Sequence, residues 1–85
     1  MSFAEQRASM AEDLARLEGL LRQAQEMARA LEARATAAAA ACDTETLADD
    51  AALARALGVA RRVRVDAGAL IRTVRETKGS LTSDE

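Results

Sequence analysis

The chain has no proline, histidine, tryptophan or tyrosine, and only one cysteine, one phenylalanine and four glycines in 85 residues. Each absence excludes something. Without proline, no position both locks φ and removes a backbone donor, so nothing forces a helix to end. Without histidine, and with Cys42 alone, neither the usual zinc sets nor a disulfide framework can be assembled. That residue usage fits a reducing, cytoplasmic setting. With Phe3 as the single aromatic, there is no platform on which nucleic-acid bases could stack. No window approaches ~18 consecutive apolar residues without a charge, so no membrane span is expected. Residues 1–7 lack a basic stretch leading into an apolar one, so no signal peptide is expected either.

What remains is rich in alanine and in balanced charge. Hydrophobic residues make up 49% and charged ones 31%, with net charge −2. That mix belongs to long helices and coiled coils, not to the low-hydrophobicity, high-charge composition of disordered chains.

The strongest pattern runs from Met10 to Cys42. Steps of four and three give Met10, Leu14, Leu17, Leu21, Ala24, Ala28, Leu31, Ala35, Ala38 and Cys42. This is an unbroken heptad seam with Met10, Leu17, Ala24, Leu31 and Ala38 at d and the others at a. Extended backwards, the register reaches Arg7 and Phe3. A first helix over about 2–42 follows, with Ser2 and Glu5 as a capping box and Ser9 with Glu12 as a second start. Gly19 lies off the seam and is tolerated by a long helix.

A turn is expected at about 42–46. Asp43 can cap the second helix, with Cys42 and Leu47 as a hydrophobic staple, and Thr46 with Asp49 offers another cap. The acids Asp43, Glu45, Asp49 and Asp50 suit the positive end of a helix dipole. They could also form an acidic tip that probes a partner. The second helix is expected over about 44–78. Its stripe is Leu53, Leu57, Ala60, Val63, Ala67, Leu70, Ile71 and Val74, with Gly58 and Gly68 off it. Gly79 is placed to close the helix, and residues 80–85 read as a disordered acidic tail.

The fold class is therefore all-α: an antiparallel two-helix hairpin over residues 1–79. A turn centred between Cys42 and Asp43 would set Leu21 near Arg64, Leu14 near Ile71, Leu31 near Ala54, and Arg72 near Glu12 and Asp13. Both stripes are wider than one partner needs. Leu20 and Met27 flank the first, and Val59, Val63 and Leu70 widen the second. A lone hairpin would leave this surface wet, so a homodimeric four-helix bundle or a docked protein partner is expected.

Candidate chemistry is sparse. Cys42 has no base beside it, so it reads as a small core residue, or as a thiol that could cross-link two subunits. The acid pairs Glu12/Asp13 and Asp49/Asp50 diverge on a helix and converge on nothing. No enzyme activity, cofactor or metal is expected. Arg61, Arg64, Arg72 and Arg75 form a basic ridge beside the stripe of helix two. They read as flanking charges that meet Glu12, Asp13 and Glu18, as a dock for an acidic protein segment, or as phosphate contacts.

The expected function is a small adaptor or regulator, chaperone- or anti-activator-like. It would self-associate and sequester a protein partner through Leu20, Met27, Val59, Val63, Leu70 and the four arginines. A nucleic-acid-binding hairpin dimer and a structural oligomerisation subunit are the alternatives.

Overall fold

The computed structural model describes residues 2–41 and 51–83. It holds two helices, α1 (Phe3–Ala41) and α2 (Ala51–Thr82), packed against each other, with no strand among the described residues. The Cys42 core position, the Asp43 cap, the staple to Leu47, the Thr46/Asp49 cap and the Asp49/Asp50 pair lie outside the described residues.

α1 begins as its capping residues require. The Glu5 amide donates to Ser2 Oγ at 3.1 Å, and the Gln6 amide makes the first helical bond to the Ser2 carbonyl at 3.0 Å. The helix then runs unbroken through Ser9 and Gly19. Interhelix pairs descend along one helix as they climb the other: Arg7 with Leu81, Glu18 with Lys78, Glu32 with Arg61. The helices are antiparallel. The molecule measures 63 × 20 × 15 Å, and its radius of gyration is 18.9 Å, against roughly 12 Å for a compact domain of this length.

The line of contact differs from the expected one. On α1 the covered positions are a and e, not a and d. Ala11, Ala28 and Ala35 are buried, and Leu14, Glu18, Leu21, Gln25 and Glu32 are half-buried between them. Met10, Leu17 and Leu31, all at d, stay exposed at 42–46%. On α2 the facing line is Leu53, Leu57, Ala60, Arg64, Ala67, Ile71, Val74, Lys78 and Leu81. Val63 and Leu70, expected on the contact stripe, stand to one side and are exposed.

Charge explains the rotation. Arg64 and Lys78 lie in the α2 contact line and need acids opposite. Only the e positions of α1 provide them, as Glu18 and Glu32. Ala11, Ala28, Ala35, Ala60 and Ala67, all buried, let the two backbones approach closely.

The same ion pairs set the register, which is displaced by about one heptad from that of a turn at 42/43. Leu31 lies beside Val59 and Val63 instead of Ala54, and Leu14 beside Thr77 and Leu81 instead of Ile71. Asp13 pairs with Arg16 on its own helix, not with Arg72.

The end of α2 also departs from expectation. The helix continues through Gly79 to Thr82, and no glycine has positive φ. The tail expected to be disordered is thus helical over residues 80–82. Arg7 supplies the reason: its Nη2 and Nε donate to the carbonyls of Ser80 and Leu81 at 2.9 and 3.2 Å. These are terminal carbonyls that the helix cannot satisfy itself. Leu81 is half-buried in a notch with Met10, Leu14 and Leu17.

Candidate docking face

With a and e turned inward, each flank of the hairpin acquires a distinct chemistry. One flank is charged and self-satisfied. Glu18 Oε2 accepts from Arg22 Nη2 at 2.9 Å, and Oε1 accepts from Lys78 Nζ at 3.1 Å, with Arg75 Nε 3.8 Å away. One heptad pair further along, Glu32 Oε2 accepts from Arg64 Nε at 2.7 Å, and Arg61 Nε lies 3.7 Å from Oε1. The hydrogen bonds from Arg22 and Lys78 hold the Glu18 pKa below the ordinary glutamate range, and the two positive charges act in the same direction.

The construction repeats. Glu18 and Glu32 are two heptads apart, as are Arg61 and Arg75, and Arg64 and Lys78. Between the clamps sits Gln25, whose Nε2 donates to the Arg64 carbonyl at 3.3 Å. Gly68 makes room for it: a Cβ there would stand 3.0 Å from that nitrogen. Gly68 is therefore half-buried in the interface, not off it.

Of the basic ridge, Arg61, Arg64 and Arg75 are engaged by Glu32 and Glu18, and Arg72 is exposed without an ion pair among the described residues. Glu18 is among the acids anticipated for these arginines. Glu32 is not, although the shared two-heptad spacing is visible in the chain.

The opposite flank is apolar. It carries the d and g positions of α1, with Met10, Leu17 and Leu31 joined by Leu20 at 62% exposure and Met27 at 73%. From α2 come Val59 at 59%, Val63 at 38% and Leu70 at 50%. Between the helices this flank dips into a groove walled by Met27, Leu31, Val59 and Val63 over the buried methyls of Ala28 and Ala60. All five apolar residues singled out from the sequence therefore lie on one side of the hairpin, away from its clamps.

Arg55 and Arg62 border this side on α2, beside Val59 and Val63. Arg62 pairs with Asp66 at 3.3 Å. Phe3 is exposed at the far end, with the Arg7 guanidinium 5.9 Å from its ring centroid.

Among the described residues, no three His, Cys, Asp or Glu side chains are grouped to hold a metal ion, and no helix is long and apolar enough to cross a membrane. Comparison with protein-family models, curated proteins and solved structures finds no match to the chain.

Proposed function

We propose that the chain is a small docking module without chemistry of its own. It is a cytoplasmic adaptor or regulator, chaperone- or anti-activator-like, that self-associates as a homodimeric four-helix bundle and sequesters a protein partner. The observation that carries this reading is the continuous apolar flank. Folded chains rarely leave so large a contiguous apolar surface in water unless something covers it. The accessible surface is 6327 Å², where a compact chain of 9.0 kDa would expose roughly 4,850 Å². The excess, roughly 1,500 Å², reflects the rod shape of the whole chain, charged and apolar surface together.

The groove suits an amphipathic helix laid lengthwise, with its i, i+3, i+4 and i+7 side chains as anchors. A partner's helix would take the place of a second hairpin on the same flank, and Arg72, on the clamp side of α2 and without an ion pair among the described residues, could meet an acidic segment there. The phosphate-binding alternative is less well supported, because Arg61, Arg64 and Arg75 already have carboxylate partners. A gel shift at low salt, where such binding is strongest, tests it.

The main reading is tested by affinity purification from the source cell with the native chain and with a Met27→Glu, Val63→Glu variant. The expected result is a stoichiometric protein partner that the variant loses. Recovery of no such protein, or equal recovery on both, would overturn it.

A further inference from the structure

The clamps place Ala24 of α1 and Leu70 of α2 level with each other. Glu18 meets Arg75 on one side of that line, and Glu32 meets Arg61 on the other. Both residues occupy the d row of the apolar flank. If two flanks are laid face to face with twofold symmetry, only two arrangements keep neighbouring helices antiparallel. In one, the two hairpins point the same way and α1 faces α2 of the second copy. In the other they point opposite ways, and each helix faces its own counterpart.

The side chains discriminate between the two. With hairpins pointing the same way, the register brings Met27 against Asp66 of the second copy and Arg34 against Val59. Both contacts bury an ionised group on an apolar one, at a cost. With hairpins pointing opposite ways, an axis set at the level of Ala24 and Leu70 places each against its own copy. Leu17 then faces Leu31, Leu20 faces Met27, Asp13 faces Arg34, and Arg62 faces Glu76. On α1 apolar groups meet apolar ones and Asp13 meets Arg34 with opposite sign, while on α2 Leu70 meets its own copy, Val63 meets Thr77, Asp66 meets Thr73 and Arg62 meets Glu76. Arg34 and Glu76 are exposed and have no ion pair among the described residues, so each is free for this role. Asp13 and Arg62 are held only by exposed contacts on their own helices, to Arg16 at 3.5 Å and to Asp66 at 3.3 Å.

We infer that the apolar flank is covered by a second copy of the chain in this reversed, self-on-self arrangement, with Ala24 and Leu70 on the twofold axis. This rests on the self-associating reading above and adds to it which residues meet.

The test is site-directed cross-linking in the full chain with Cys42 replaced by serine. Ala24→Cys and Leu70→Cys are prepared separately and mildly oxidised, and the mass of each parent is measured by sedimentation. The expected result is a dimeric parent and a covalent dimer from each single-cysteine chain alone. A dimer that cross-links only when the two cysteine variants are mixed would overturn the reversed arrangement and leave self-association standing. So would a dimer that cross-links in neither. A monomeric parent would overturn both.

Charge exchange provides an independent reading. Asp13→Arg should weaken dimerisation roughly fivefold through like-charge contact with Arg34. Adding Arg34→Asp should restore it. No rescue would count against the pairing.

Discussion

Glu18 accepts from Arg22 on its own helix and from Lys78 on the other, so its ionisation is tied to the folded state. A carboxylate whose pKa is depressed by folding stabilises the fold at every pH above its unfolded value. That contribution is lost as pH falls through the folded value. Thermal melts should therefore show Glu18→Gln melting below the native chain near neutral pH, with the gap closing in acid. A gap that widened in acid would contradict the sign. The glycines separate in the same way. Gly19 and Gly58 have open space where a side-chain methyl would stand, whereas Gly68 has Gln25 at 3.0 Å. Gly19→Ala and Gly58→Ala should each stabilise by up to about 1 kcal/mol from helix propensity. Gly68→Ala should gain less, or lose, because Gln25 must leave the Arg64 carbonyl. Denaturant titration of the three variants decides it, and equal gains would mean that Gln25 plays no part. That distinction is not legible in the sequence, since nothing in the residues around Gly68 separates it from Gly58. Only the interhelix register separates them.

At the scale of the helix, existence is far easier to read than orientation. The Met10–Cys42 heptads and the Ser2 cap announce α1, and α1 starts where the cap requires. Which two of its neighbouring rows face inward depends on α2. Arg64 and Lys78 stand in the α2 contact line and draw in the e-position glutamates, turning Met10, Leu17 and Leu31 of row d outward. Apolar periodicity alone cannot express that choice, because it scores Leu17 above Glu18 at an interface. Three of the five apolar site candidates are legible for the complementary reason. Leu20, Met27 and Val59 are surplus to the seam that periodicity suggests and remain so in the seam that forms, while Val63 and Leu70, expected on the stripe of α2, join them only through the rotation. The end of α2 escapes a sequence reading because its support comes from the far end of the chain. Arg7→Ala should release the Ser80 and Leu81 carbonyls, costing about 1 kcal/mol and speeding amide exchange over the last turn of α2. Unchanged exchange there would assign the extension to α2 alone.

For the whole molecule, the decisive feature is the division of labour between flanks. The clamps contribute direction and register, as charges flanking a coiled-coil seam do, and the alanine contacts bring the helices close. Neither hides the apolar side chains of the outer rows, Leu20, Met27, Val59 and Leu70 among them, which no third element covers among the described residues. Stability should therefore depend on concentration, since anything that binds only the folded chain raises its melting temperature by mass action. Leu20→Glu with Met27→Glu should abolish that dependence while leaving helical content intact at high concentration, as judged by circular dichroism. Sedimentation equilibrium of the native chain bears most directly on the central claim. The expected particle has twice the 9.0 kDa chain mass, dissociates on dilution and loses its cooperative melt as it does so. A species that stays at the mass of one chain and melts cooperatively at every concentration would contradict it.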